Sequence, residues 1–509
     1  MEDCMKKTYD VIIIGAGVVG SMVARFLSKY HLDILLIEKE VDVGMGASSA
    51  NSAIVHAGYD ALPGSNKAIT NVMAVEMWPA LSEELGIDYS RCGDYVVAVE
   101  DADMAVLEEL RERGRLNGVP GIEIISGEEM RQREPLIRPD ASAALWAPTG
   151  AISDPFAATV AAAENAVMNG VELKRSTACE DFIFDCDRII GVRTNQGDFM
   201  CRWVINAAGL FADEVMHKAG VRPEFKIRPR RGEYVILDKA DFELTQPTVL
   251  FPTPTEKGKG ILVAGTLHGN VIVGPNANFV DSKEDKDVTQ EGIQEIWEGG
   301  KKLVPAIERK YIIAKFAGLR ATGNAPTPNP EIEYNQDFLI EIPENVDGLV
   351  NLGGIESPGF TAAPAIALKV IELLQGAGEH LEEKADWNPV RVPRPVFRHL
   401  SRDEQASLIA EDPSYGRIVC RCEMVTEGEI LAEIDAPIPA DTYDALKRRT
   451  WLGTGRCQGG FDMPRVVEIL ASELGLTPQE ITKKGHGSEF IFRPTKVVDQ
   501  DHLIVEDLI

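Results

Sequence analysis

The sequence predicts a mixed α/β fold in two unequal parts, and three observations carry that expectation. A buried strand, a glycine-rich turn, a helix and a second strand ending in an acid follow one another within the first forty residues. Alternating apolar segments bounded by glycine recur between about residues 221 and 344. Three cysteines (Cys420, Cys422, Cys457) gather in the last hundred residues, whereas the other five (Cys4, Cys92, Cys179, Cys186, Cys201) are scattered.

The N-terminal unit is the most specific. Val11 to Ile14 read as a strand buried on both faces of a parallel sheet. The helix that follows carries apolar residues at Met22, Val23, Phe26 and Leu27, and the second strand runs from Ile34 to Ile37. Gly15 allows the tight turn, Gly17 lets backbone approach a pyrophosphate, and Gly20 lets the helix pack on the strand. Amide groups and dipole at the helix start attract phosphates. Glu38 stands 18 residues after Gly20, where a carboxylate can accept hydrogen bonds from ribose hydroxyls. Together these make a Rossmann-like dinucleotide site; an ordinary glycine turn in a βαβ unit explains neither the acid nor the placement.

The chain has 509 residues, long enough for about three domains. A hydrophobic content of 44% and a charged content of 26% describe a soluble globular protein, and no apolar run is long enough for a bilayer. The N-terminus shows no apolar signal region. A net charge of −28 argues against nucleic acid and anionic lipid as partners, and means that an anionic substrate needs locally placed cations. Scattered thiols point to a reducing, cytoplasmic setting, and the late cluster points to metal rather than disulfides.

After Glu38 and Lys39 comes a loop of small and hydroxyl residues, Gly44 to Gly58, holding Ser48, Ser49, Asn51, Ser52 and His56. A helix is expected from Lys67 to Leu85, then Gly150-Ala-Ile-Ser-Asp-Pro155 and a helix from Ala157 to Asn169. Val204-Ile-Asn-Ala-Ala208-Gly209 reads as a buried strand ending in small residues. Gly348 to Thr361 gives a strand and a glycine turn that runs from Gly354 through Gly359, Phe360 and Thr361, and a helix is expected from Ala363 to Leu374. Glycine fingerprint, acid-lysine pair and the Ser-Ser-x-Asn-Ser-x-x-x-His-x-Gly segment, with these later motifs in order, resemble the D-amino-acid-oxidase-like (DAO) superfamily of FAD enzymes. That superfamily includes glycerol-3-phosphate dehydrogenases and L-2-hydroxyglutarate oxidases. The resemblance implies FAD as cofactor, contacted by the loop residues above and by Ala208, Gly209 and the Gly354 to Thr361 turn.

It also implies the organisation: an oxidoreductase region over 1–375, with FAD-binding segments at about 1–90, 150–220 and 345–375. An inserted antiparallel substrate sheet takes about 90–150 and 221–344. Segments such as Glu233 to Leu237, Gly260 to Ala264 and Asn270 to Gly274 read as its strands. Residues 376–415, with prolines at 389, 393, 395 and 413, read as an extended linker lying along the enzyme body.

Residues 416–509 form a small, mainly helical unit. Thr426-Glu-Gly-Glu429 reads as a capping box, and a helix is expected from Pro464 to Leu474. The unit resembles the bacterioferritin-associated-ferredoxin-like module, which holds a [2Fe–2S] cluster on Cys-x-Cys and a later Cys-x4-Cys. Here Cys420, Cys422 and Cys457 match, but the fourth position is Asp462. A carboxylate can complete a cluster as a harder ligand. A module that keeps its fold without a cluster and a zinc site are the other readings.

For the chemistry, His56 is the expected base, since its unperturbed pKa suits the task and the resemblance places it beside the flavin. Arg320, in Phe316-Ala-Gly-Leu-Arg-Ala-Thr-Gly323, matches the family's anion-binding arginine, and a planar guanidinium pairs two oxygens at once. Lys259 is expected to add a second charge, with Arg230 and Arg231 flanking and His268 as a weaker candidate that equally well caps a hairpin. The resemblance implies oxidation of glycerol 3-phosphate, with electrons passed to a protein partner or acceptor. The alternatives are a 2-hydroxy acid of the L-2-hydroxyglutarate type, an amine or amino acid, or a non-catalytic redox sensor or assembly subunit.

Overall fold

The computed structural model describes residues 7–222, 225–245, 247–254, 258, 260–324 and 337–492. Two compact units divide the chain, Met1–Pro393 and Arg394–Ile509. No helix among the described residues is long and apolar enough to cross a membrane.

The first unit is built on two sheets. In the nucleotide-binding sheet the strand Thr8–Ile14 lies between Gly197–Asn206 and Ile34–Ile37, parallel to both. Leu349–Gly353 extends the parallel run on the far side of Gly197–Asn206, and a hairpin, Cys179–Asp185 with Arg188–Thr194, adds antiparallel strands. Parallel strands covered on both faces need apolar residues throughout; Ile34 to Ile37 and Val11 to Ile14 are all buried. The helix Val18–Leu27 packs so closely on the first strand that a Cβ at Gly20 would stand 1.9 Å from the Gly15 carbonyl oxygen. Gly15 itself has φ +101°, open to glycine alone at little cost.

The substrate sheet runs Asn278–Phe279, Ile227–Leu237, Val271–Gly274, Leu262–Gly265, Val249–Pro252, Asp94–Ala98, Ala143–Ala147 and Glu123–Ser126, with Ile312–Gly323 along the other edge of Ile227–Leu237. Its pairings are antiparallel save one: Val249–Pro252 runs parallel to Asp94–Ala98, where two chain segments distant in sequence meet. The expected strand at Glu233 to Leu237 is the end of a longer one, because the arginines preceding it also enter the sheet.

Helix starts follow the local chemistry. Ser65 accepts from the Ala68 amide and opens Asn66–Leu85; Asp154 accepts from the Phe156 and Ala157 amides at 2.8 and 3.0 Å and opens Pro155–Met168. The segment after Gly359–Gly376 runs along the first unit. The His31 amide donates to Glu382, Trp387 Nε1 donates to Ser28 Oγ, and Arg391 Nε meets the buried Glu164 at 2.6 Å.

The second unit begins with residues expected as linker: Ser401 and Glu404 form a capping box that opens the helix Arg402–Glu411. A short hairpin, Ile418–Cys420 with Val425–Thr426, then leads into helices Glu427–Ile434, Tyr443–Thr450 and Met463–Leu474. Both halves of the Thr426–Glu429 capping box are formed. Ile430, Leu446, Leu452, Val466 and Leu470 make the core.

Candidate active site

The dinucleotide cradle is assembled from the N-terminal motif and the loop after it. The helix Val18–Leu27 begins at Gly17 with no cap from its own side chains and no acid in its first turn; Ser48 Oγ accepts from the Val18 amide at 2.9 Å. A Cβ at Gly17 would approach only that hydroxyl, at 3.2 Å, and one at Gly209 would meet nothing within 4 Å. Glu38 is buried, and its carboxylate accepts from the Ala16 amide at 2.7 Å and from the Glu40 amide at 3.0 Å. Burial pushes its pKa up, with these amide bonds opposing. A buried acid at the end of the second strand, bare glycine backbone and a helix start free of acidic side chains fit the ribose and pyrophosphate of FAD.

The remaining cofactor candidates divide between cradle and scaffold. Asn51 holds its own loop, donating to Ala47 and Ser48 carbonyls and accepting from the Ala53 amide at 2.8 Å; Ser49 closes the turn onto Gly46, and Ser52 is half-buried beside it. Lys39 lies 3.7 Å from the centroid of the Phe211 ring. The Ala208 amide donates to Asn206, which also binds Asn351 across parallel strands. Gly354 has φ +65°. In the helix Gly359–Gly376, Phe360 packs on Trp78 with centroids 4.9 Å apart, so its ring works as scaffold.

Thr361 does the same for His56, whose amide donates to Thr361 Oγ1 at 2.9 Å and whose carbonyl accepts from Asn71 Nδ2 at 2.7 Å. With its backbone fixed on both sides, the imidazole lies 5.9 Å from the Phe251 ring of the substrate sheet, with Nε2 3.4 Å from Ser357 Oγ.

Arg320 stands directly opposite Arg230 in the antiparallel register of Ile312–Gly323 and Ile227–Leu237. Residues opposed in this way share a face, and like charges there repel. Burial, then Arg320, pushes the Arg230 pKa down. Arg231, one residue on, points to the other face and pairs with Asp285 at 2.7 Å. Arg320 Nη2 donates to the Asn276 carbonyl at 3.2 Å. His268 sits in the hairpin between Leu262–Gly265 and Val271–Gly274. Lys259 lies outside the described residues.

The residue that sequence reading missed is Glu356, beside Ser357. It pairs with Lys67 at 2.8 Å, accepts from Thr322 Oγ1 at 2.7 Å, and lies within electrostatic range of Arg320 and Arg230. Burial pushes Glu356 up, but Lys67, Thr322 and Arg320 more than offset it and hold the pKa below the carboxylate range. One turn thus bears on both candidates: Ser357 Oγ lies 3.4 Å from His56 Nε2, and the Glu356 carboxylate is within electrostatic range of Arg320. An acid between Gly354 and Pro358 in an otherwise apolar stretch was the available signal. Lys67→Met, which leaves a buried carboxylate without its cation, is expected to cost about 3–5 kcal/mol, read as a lower urea midpoint. Because Glu356 is depressed in the folded state, its contribution is present above the ordinary carboxylate pKa and is lost as pH falls through the folded value. The Lys67→Met deficit should therefore shrink in acid; a pH-independent deficit would contradict the assignment.

In the second unit the four late candidates stand as two adjacent pairs. The buried Cys420 lies beside Asp462, and its thiol is pushed up to about 12, by burial first and by Asp462 as well. The Cys422 thiol faces Cys457; the Cys457 amide lowers its pKa, while burial and the Cys457 thiol together raise it. Cys420 Sγ also accepts from the Gly453 amide at 3.4 Å. Among the described residues no three His, Cys, Asp or Glu side chains gather as one ion would need. Two donors per metal is the arrangement a two-iron cluster takes.

A dinucleotide cradle, with His56 against the substrate sheet and two arginines opposed on that sheet, defines an oxidoreductase that works with a bound redox cofactor. The chain belongs to the FAD dependent oxidoreductase (DAO) family, which matches residues 10–373. Residues 418–472 match the BFD-like [2Fe–2S] binding domain. Glycerol 3-phosphate dehydrogenase of Caloramator mitchellensis is 43% identical over 488 residues, 96% of this chain and 99% of the relative. Glycerol 3-phosphate oxidase of Mycoplasma genitalium is 33% identical, over 75% of this chain and 98% of the relative. The FAD-bound, dithionite-reduced L-α-glycerophosphate oxidase of Mycoplasma pneumoniae superposes with a TM-score of 0.70 at 31% identity, covering 76% of this chain and 100% of that one.

Proposed function

We propose that the protein oxidises glycerol 3-phosphate at C2 to dihydroxyacetone phosphate. The observation that carries this reading is the opposed pair Arg230 and Arg320, linked through the Glu356–Ser357 turn to His56. The two guanidiniums share one face, and a phosphate dianion can bridge them. The full-length similarity to a glycerol 3-phosphate dehydrogenase supports the same substrate.

Arg320 and Arg230 hold the phosphate and so set the distance of C2 from the base. Lys259 is assigned the helping charge that the sequence gives it. His56 Nε2 takes the proton of the C2 hydroxyl, and Ser357 Oγ orients the ring. Bound FAD supplies the acceptor for the hydride that leaves C2. The cradle residues Gly15, Gly17, Gly20, Glu38 and Ser48 hold its nucleotide end, with Gly209 leaving backbone open. We place the protein in the cytoplasm, passing electrons to a protein acceptor, with the C-terminal unit as a [2Fe–2S] carrier. The support is the free state of the seven cysteines among the described residues and the late pairs of donors.

Anaerobic mixing with a panel of glycerol 3-phosphate, L-2-hydroxyglutarate and secondary amines tests the reading. Bleaching of the flavin absorbance by glycerol 3-phosphate alone is expected. Bleaching by 2-hydroxyglutarate and not by glycerol 3-phosphate would leave the base in place and overturn the substrate.

A further inference from the structure

Asp462 departs from the cysteine pattern, and its surroundings show a built position rather than a loss. It occupies the start of the helix Met463–Leu474, where an aspartate ordinarily accepts from the helix amides. Here it makes no capping hydrogen bond. The side chain is 2% exposed and turned inward. Oδ1 accepts from the Tyr443 hydroxyl at 2.6 Å, while Oδ2 is buried with no hydrogen-bond partner. An orphaned carboxylate oxygen in a core costs several kcal/mol unless something else binds it.

Tyr443 is held as deliberately. Its hydroxyl fits between two loop glycines, since a Cβ at Gly453 would come within 2.4 Å of it and one at Gly459 within 2.5 Å. Both glycines have positive φ, +69° and +84°, so the loop carrying Cys457 folds around the phenol. Gly455 in the same loop passes so near Cys422 that a Cβ would lie 2.5 Å from the cysteine Cβ. The Phe490 ring meets Tyr443 edge-on, with centroids 5.5 Å apart.

We propose that Asp462 is a monodentate iron ligand through Oδ2 in a three-cysteine, one-aspartate [2Fe–2S] site, and that Tyr443 is the residue that positions it. The inference rests on reading the C-terminal unit as a cluster carrier. The pairing assigns Cys420 and Asp462 to one iron and Cys422 and Cys457 to the other. By occupying Oδ1, the phenol prevents the carboxylate from chelating and leaves one oxygen for the metal. The same hydrogen bond draws electron density from the carboxylate, which makes it a weaker donor and raises the reduction potential of the site. A phenylalanine at 443 keeps the ring and its packing and removes only that bond.

The test uses the full chain with FAD, prepared without oxygen on ⁵⁷Fe. Mössbauer spectra of the oxidised wild type should show two inequivalent irons in equal amounts, one of them with an oxygen ligand. Asp462→Cys should make the two sites alike. Asp462→Asn, isosteric but a poor ligand, should lose iron. Tyr443→Phe should keep both irons and shift the midpoint potential downward, because the carboxylate freed of its hydrogen bond is the stronger donor. Equivalent irons in the wild type, or an Asp462→Asn protein with unchanged iron and spectrum, would overturn the aspartate ligand and leave the cluster standing. An unchanged potential in Tyr443→Phe would overturn the role of Tyr443. Wild-type protein free of iron under these conditions would overturn the cluster reading itself.

Discussion

His56→Asn is expected to slow reduction of the bound flavin by about 10²–10⁴-fold, the usual contribution of a general base, with little change in substrate affinity. Asparagine keeps much of the shape of the imidazole and cannot take a proton. The loop should survive the change, because it is held by backbone contacts: the His56 amide on Thr361 and its carbonyl on Asn71. Packing of the ring against Phe251 is the apolar contact at stake. Single-turnover mixing under anaerobic conditions reads the rate of flavin bleaching directly. A wild-type rate in His56→Asn would remove the residue from the chemistry.

Arg320→Ala should act on the other half of the pocket. Removing one partner of a buried, hydrogen-bonded charge pair costs about 2–5 kcal/mol, so binding of glycerol 3-phosphate should weaken by about thirtyfold or more. Uncharged glycerol should lose little, and that contrast separates anion recognition from general damage. Arg320→Lys should recover only part of the loss, since an ammonium keeps the charge but not the planar fork. Relief of the repulsion with Arg230 works in the opposite direction, against the lost attraction for Glu356 and the lost hydrogen bond to Asn276. Isothermal titration of the oxidised enzyme with the phosphate ester and with glycerol measures both numbers. Equal losses for the two ligands would contradict the clamp.

Much of this was legible in the sequence because it is written in local chemistry. Val11 to Ile14 and Ile34 to Ile37 announce buried parallel strands by composition, and Gly15, Gly17 and Gly20 announce a turn that only a nucleotide cradle needs. Thr426 and Glu429 declare a helix start by themselves. The FAD family of the first unit and the [2Fe–2S] family of the second were likewise readable from motif order. What stayed hidden depends on pairing across distance. That Arg230 rather than Arg231 faces Arg320 follows from strand register, which shifts every side chain to the other face if it slips by one residue. Glu356 looks like one polar residue in a glycine turn until Lys67 and Thr322, from far along the chain, are seen to surround it. At Phe360 and Thr361 the motif does not show that their side chains fasten the helix to Trp78 and to the His56 loop. The helix Arg402–Glu411 was masked by the prolines around it, although Ser401 and Glu404 carry the capping signal.

The central claim is that one substrate bridges the arginine pair and the histidine. The measurement that tests it most directly is a crystal structure of the FAD-loaded enzyme, reduced with dithionite and soaked with glycerol 3-phosphate. The phosphate is predicted on Arg320 and Arg230, with the C2 hydroxyl oxygen about 2.6–3.2 Å from His56 Nε2. A phosphate bound elsewhere, or a C2 hydroxyl turned away from His56 with the phosphate in place, would contradict it.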